Sequence, residues 1–449
     1  MMKIAFAGFG EVNTPVEFIV DRCAAAAESL KKGGAEVISC FPISDDYEEK
    51  DVNKAIDFFE GKDFDALVLC VAGWIPTHAV VKITERFRDK PMVLWGLCGW
   101  IESDGRLVTT ADQAGTSALR KVMKDLGYTF KYVYNIIGKP SRVDEVLTFC
   151  KAASAYKQMR SAKIGHMGYR DMHLYGTLFD GLTLKKTIGA EIECFEMLEV
   201  VQRAEKITDS AIDEVINTTV NSWKFMKKAD MNIVRRGVSY YLALKEIIDE
   251  RKYVAVSLKD VDGMKKLLGF PPAMIFMLLA DREGICTIPE NDCLGNVTQA
   301  MIKMLTGQIG AYLEFYEFFE EGVLAGVPDY VPAEIVDGEV TVSPEAFGLL
   351  SQGVLNVSKV KTGTVTMCRL TTENGKYVLH MVVGEGTTPP KWEEAGWAQP
   401  APQLPALKVL LKDTEDFTDK VMGQHYIISY GDNSKIITEF CKIAGIEII

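Results

Sequence analysis

Histidine is scarce, five in 449 residues, and no two of the ten cysteines are spaced as Cys-x-x-Cys. Cysteines scattered from Cys23 to Cys441, several inside apolar runs such as Glu36–Phe41 and Ala66–Val71, read as buried reduced thiols rather than as disulfides or a zinc ribbon. No stretch of about 20 uncharged apolar residues occurs, so no membrane-spanning helix is expected. The opening residues Met1 to Gly8 read as a strand entering a glycine turn, too short for a signal-peptide core and without a small-residue cleavage site, which points to a cytoplasmic protein. Basic charge is in deficit: 50 Lys plus Arg against 62 Asp plus Glu give a net charge of −12. With no Lys/Arg stripe to neutralise phosphates, a nucleic-acid partner is excluded. What remains is an ordinary globular composition, 48% hydrophobic and 25% charged, which rules out collagen-like, disordered and coiled-coil classes. At about 150 residues per domain the length allows two or three domains.

The expected fold is α/β: two doubly wound parallel-sheet domains, residues 1–160 and 161–336, followed by a β-rich domain, 337–449. In the first, apolar runs at Lys3–Ala7, Glu36–Phe41, Ala66–Val71, Pro91–Leu97 and Phe130–Tyr134 alternate with helically spaced segments, the pattern of a parallel sheet covered on both faces. A helix over Ser141–Ser161 leads to strands at Lys163–Met167, Glu191–Phe195 and Tyr253–Leu258, with helices at Asp209–Lys227 and Ile233–Arg251. Beyond Asp337 short alternating strands appear, including Gly363–Thr371 and Lys376–Val383 around an Asn374-Gly375 turn, and predict an antiparallel barrel or sandwich closed by a helix at Asn433–Ala444. Gly384–Pro405, rich in Pro, Gly and Trp, reads as an ordered loop.

Two familiar motifs fail on inspection. Gly8-Phe9-Gly10 follows the first strand, but the third glycine of a dinucleotide site is missing and no acidic residue closes the second strand, which ends Cys40-Phe41-Pro42. A plain strand-to-helix turn is the better reading. No Gly-x-Ser-x-Gly elbow supports a hydrolase. Three other residues carry chemistry by context. His425 opens a strand beside a glycine-bounded loop, in Gly423-Gln424-His425-Tyr426. Glu290 lies in Thr287-Ile288-Pro289-Glu290-Asn291-Asp292, between an apolar run and a helix near Val297–Leu305. Glu314 interrupts an aromatic strand, Tyr312-Leu313-Glu314-Phe315-Tyr316, where a buried carboxylate would need a cation or a proton; a solvent-facing place on an edge strand is the equal alternative.

The run from Gly284 to Gly307, with Pro289-Glu290 and Leu305-Thr306-Gly307, together with Ala311–Phe315 and the ending His425 through Tyr430-Gly431-Asp432 to Ile446, resembles the L-fucose/L-arabinose isomerase superfamily. Lys163–Met172 resembles that family's entry into its second domain, and the likeness spans essentially the whole chain. It implies a metal-dependent aldose–ketose isomerase acting on a monosaccharide through an enediol, with Glu290, Glu314 and His425 binding one divalent cation, Mn²⁺ foremost and Mg²⁺ or Co²⁺ as alternatives. The two carboxylates would also move the proton between C1 and C2. The resemblance further implies a homo-oligomer, trimer or hexamer, with sites between subunits and with Arg170, Trp74 and Met172 in segments that in the family reach into the neighbouring subunit's pocket; core packing is the plainer role for Trp74 and Met172. Two departures stand out: the family's His-Cys-Gly segment is replaced by Val323–Tyr330 without histidine, and Glu314 stands where fucose isomerases have Asp. They leave open a sugar-binding protein that keeps the fold without turnover.

Overall fold

The computed structural model of the chain describes residues 2–327, 330–344, 353–389 and 405–449. Two compact units emerge: Met1–Lys157 with Lys435–Gly445, and Gln158–Ser434 with Ile446–Ile449.

The first unit is built on a five-stranded sheet ordered Glu36–Ile43, Lys3–Phe9, Ala66–Val71, Met92–Gly96, Phe130–Tyr134. Every pairing in it is parallel. Ala66–Val71 and Met92–Gly96 are buried at every position, because helices on both faces leave no side for water. Gly8 and Gly10 serve packing here. A Cβ on Gly8 would lie 2.4 Å from Cys23 Sγ, and one on Gly10 would lie 2.2 Å from Ile19 Cδ1, so the bare backbone lets helix Val16–Lys32 close on the strand. The helix expected to close the β-rich region, observed at Ser434–Ala444, belongs instead to this first unit, where Glu439 meets Lys131 at 2.5 Å and Phe440 packs edge-on against Tyr156.

The second unit holds a parallel sheet ordered Cys286–Ile288, Tyr253–Leu258, Lys163–Met167, Glu191–Phe195. The helix expected over Asp209–Lys227 ends at Thr218, where Thr218-Thr219-Val220 crowd the turn with branched side chains and Trp223 is drawn into the core.

The same unit contains an antiparallel ring. Ladders join Gly363–Glu373 to His425–Tyr430, then Ala311–Phe319, Gly322–Gly326, Ala406–Leu410 and Lys376–Thr387, which pairs back with Gly363–Glu373. Closure removes the free edges an open sheet would expose. Strands Ala311–Phe319 and Gly322–Gly326, placed by sequence before residue 337 and so with the second α/β region, hydrogen-bond into this ring. Glu314 therefore shares a sheet with His425. The Asn374-Gly375 turn has both residues at positive φ, 50° and 75°, the two-residue hairpin its sequence predicts. The loop expected over Gly384–Pro405 begins later: Gly384 to Thr387 complete a strand, and 390–404 lie outside the described residues.

Inside the ring His380 Nδ1 lies 2.6 Å from the Tyr426 hydroxyl, which itself accepts the Met422 N–H at 2.9 Å. Burial pushes the imidazole down to about 4, helped by Lys420 and opposed by Asp416. A base whose folded pKa lies below its unfolded one is protonated first in the unfolded chain as pH falls. Its contribution to stability is therefore full above the unfolded value, about 6.5, and is lost as pH falls toward 4. Urea unfolding between pH 7 and pH 4.5 should show a steeper loss in the native protein than in His380→Phe; parallel curves would refute this.

Candidate active site

Glu290 sits just past the carboxyl end of strand Cys286–Ile288, before helix Cys293–Thr306. Loops leaving the carboxyl ends of parallel strands are where α/β sheets place ligands. Glu290 and Asn291 both adopt left-handed backbone, φ 63° and 51°, which costs a non-glycine residue on the order of 1–2 kcal/mol. Neighbouring strand ends hold them there. The Glu290 N–H donates to Asp260 Oδ1 at 2.8 Å, the Asn291 N–H to the Leu258 carbonyl at 3.2 Å, and Asn291 Nδ2 to the Met167 carbonyl at 2.9 Å. Asp260, itself buried, is met by Lys265 Nζ at 3.2 Å.

Glu314 and His425 face each other in antiparallel register. Alternation puts Tyr312, Glu314 and His425 on one face of their strands, opposite the face whose Ala311, Leu313, Tyr426 and Ile428 fill the ring's core. His425 Nε2 lies 3.7 Å from Glu314 Oε2, and its Nδ1 lies 3.7 Å from Glu290 Oε2. Three residues separated by up to 135 positions (425 − 290) thus meet around one imidazole, whose side chain is 3% exposed, against 16% for Glu290 and 29% for Glu314. Gln424 Nε2 approaches Glu290 Oε2 at 3.4 Å.

Burial pushes the His425 imidazole down to about 3; the charge of Asp292 opposes the shift and that of Arg369 adds to it. The ring is neutral at neutral pH and offers a lone pair. A separation of 3.7 Å is what two donors each about 2.1 Å from one hard cation span at a wide angle. Each carboxylate–imidazole pair fits that description, but the two pairs use opposite ring nitrogens. Among the described residues no three His, Cys, Asp or Glu side chains already converge closely enough to hold an ion. The donor set, two carboxylates and one neutral imidazole, matches a hard divalent cation in kind, and a shared ion requires the carboxylates to draw in to one nitrogen.

Sequence reasoning missed the partners beneath these residues. Asp292 and Arg369 form a buried ion pair at 2.6 Å, and the Tyr312 hydroxyl donates to Asp292 Oδ2 at 2.9 Å. Against the opposing effect of burial, Arg369 and the donors around it hold the Asp292 carboxyl below the usual carboxylate range. The available signal was an arginine in a mostly apolar, strand-like run, Val365 to Leu370, which the structure buries throughout.

Arg170 and Met172 occupy the loop after strand Lys163–Met167. Met172 has φ 45° and donates its N–H to Asp262 Oδ2 at 2.7 Å, while the Arg170 guanidinium lies 5.1 Å over the Tyr175 ring. Trp74 belongs to the first unit, 37% exposed, its N–H donating to the Thr110 carbonyl at 2.8 Å. All ten cysteines are free thiols, Cys194 the one exposed to solvent. No single described helix is long and apolar enough to cross a membrane.

Residues 338–449 match the family model described as L-fucose isomerase, C-terminal domain. An L-arabinose isomerase of Oceanobacillus iheyensis is 22% identical over 343 residues, 71% of this chain and 69% of that protein. L-arabinose isomerase 2 of Bacillus licheniformis is 21% identical over the same shares. Among solved structures, a periplasmic solute binding protein of an ABC transporter from Actinobacillus succinogenes with bound D-allose aligns at 14% identity over 69% of this chain and 93% of its own. Its TM-score of 0.18 lends no argument.

Proposed function

We infer, from matches that support the L-fucose/L-arabinose isomerase superfamily, that this chain is a sugar isomerase, and we propose that it interconverts an aldose and a ketose of one monosaccharide. The observation that carries the proposal is the convergence of the donor set: Glu314 pairs in register with His425, and Glu290 comes within 3.7 Å of the same imidazole. Glu290, Glu314 and His425 would hold a divalent cation, Mn²⁺ foremost. When bound, such a cation polarises two adjacent substrate oxygens and stabilises charge that develops on them. The chain's own residues do the rest. In the aldose-to-ketose direction one carboxylate accepts the proton leaving C2 and a proton is returned at C1, while the hydroxyl proton on O2 is given up and O1 gains one; the net change is a redistribution of two hydrogens, and no dinucleotide takes part. His425 stays neutral throughout, its lone pair engaged. Arg170, Met172 and Trp74 are proposed substrate contacts, and the working enzyme is proposed to be a cytoplasmic homo-oligomer.

A sugar-binding protein without turnover is the second reading. It is favoured by the opposed placement of the two carboxylates about His425 and by the absence of histidine in Val323–Tyr330. The two readings separate by titrating purified protein with Mn²⁺, then following deuterium incorporation at C2 across a panel of aldoses in D₂O. Cation-dependent exchange with at least one sugar is expected; bound Mn²⁺ with no exchange on any sugar would establish the binder.

A further inference from the structure

We propose that Arg369, Asp292 and Tyr312 are positioning residues that fix the His425 ring between Glu290 and Glu314. The guanidinium joins three separate segments. Nη1 donates to Asp292 Oδ2 at 2.6 Å and to the His425 carbonyl at 2.9 Å; Nη2 donates to Asp292 Oδ1 and to the Gly176 carbonyl, both at 3.2 Å. Two parallel bonds to one carboxylate orient a planar fork more tightly than a single point charge would. Asp292 is filled in turn, taking the Gly295 N–H at 3.0 Å and the Tyr312 hydroxyl besides Arg369. It thereby caps helix Cys293–Thr306, two residues after Glu290.

Tyr312 closes the circuit. In the register that pairs Glu314 with His425 it is the diagonal neighbour of the histidine on the same face, and its ring stacks on the imidazole with centroids 4.1 Å apart and planes 10° apart. His425 is thus gripped at two points: its carbonyl by Arg369, its ring by Tyr312. Both grips end on the Asp292 carboxylate. The surroundings allow little slack. A Cβ on Gly295 would lie 2.8 Å from Asp292 Oδ2 and 2.9 Å from Tyr312 Cε2, and one on Gly423 would lie 2.5 Å from Arg369 Nε. An imidazole is otherwise free to turn about its outer torsion, so a site that needs one of its nitrogens at a set point requires such supports.

The test uses the full chain and two conservative variants. Tyr312→Phe keeps the stacked ring and removes only its bond to Asp292; Arg369→Lys keeps the charge and removes the fork. The first readout is the imidazole resonances of the five histidines in ¹⁵N-labelled protein without added cation, with the thermal midpoint as the check on folding. The expected result is that the His425 signals shift and broaden in both variants while those of His78 stay in place; unchanged His425 signals in folded Tyr312→Phe would overturn the proposal. The second readout is Mn²⁺ affinity, expected to weaken roughly 10- to 100-fold in each variant, the range for lost outer supports of a ligand. This second arm rests on the isomerase reading. Mn²⁺ binding by the native protein with no loss in either variant would count against positioning, whereas a native protein that binds no Mn²⁺ would sink the function reading and leave the resonance result to decide the positioning role.

Discussion

Replacing Glu290 with Gln should abolish C1–C2 proton exchange, by at least about 10³-fold, while leaving the protein folded. A positioned acid–base group alone contributes roughly 10²–10⁴-fold, and this side chain is also proposed to hold the cation. The amide keeps the volume of the side chain, so the left-handed backbone at 290 and 291 and its bond to Asp260 stay as they are. What disappears is the negative charge and the basic lone pair. Gln424, 3.4 Å away, has an amide that can pair with either a carboxylate or an amide, so it gives no reason for collapse. Deuterium exchange on the best aldose, with a circular dichroism spectrum and melting curve matching the native protein, is the measurement. Native turnover in Glu290→Gln would remove Glu290 from the reaction.

The second large effect concerns stability. Arg369→Met should lower the unfolding free energy by about 3–5 kcal/mol, the cost of leaving one partner of a buried ion pair alone. Asp292 would remain in a nearly dry site, with side-chain exposure of 2% against 4% for Arg369, holding only Gly295 and Tyr312 as donors. Exposed pairs give no such effect. Lys245–Asp249, at 33% and 61% exposure, contributes on the order of 0.3–0.5 kcal/mol as a helical i,i+4 pair. Adding Asp292→Asn to Arg369→Met should recover part of the loss, because a neutral amide is cheaper to bury than a lone carboxylate. Urea unfolding of the four proteins measures this. Additive losses would mean that the two side chains are not coupled in the folded state.

The sequence exposed the elements whose information is local. Alternating apolar runs mark the strands of the parallel sheets, several to the residue, and Asn374-Gly375 marks a hairpin because a primed turn needs two left-handed residues. Glu290, Glu314 and His425 stood out because each breaks the character of its surroundings. Sheet membership did not show. Ala311–Phe319 has the same aromatic alternation whichever strands flank it, and only a partner more than 100 residues later decides that it joins the ring. Arg369 and Asp292 stayed hidden for a related reason: a charged residue in a sequence reads as a surface residue until its countercharge, 77 positions away, is known. Gly384 to Thr387 read as loop from their glycines, yet continue a strand that the pairing with Gly363–Val365 holds extended.

The ring also dictates an order of assembly. Strand Ala311–Phe319 acquires its neighbour on the histidine side only when His425–Tyr430 has been laid down between it and Gly363–Glu373. Contacts so distant along the backbone carry a large loop-closure entropy and form slowly. Until those strands pair, Glu314 has no histidine opposite it, so Glu290, Glu314 and His425 come together only when the ring closes.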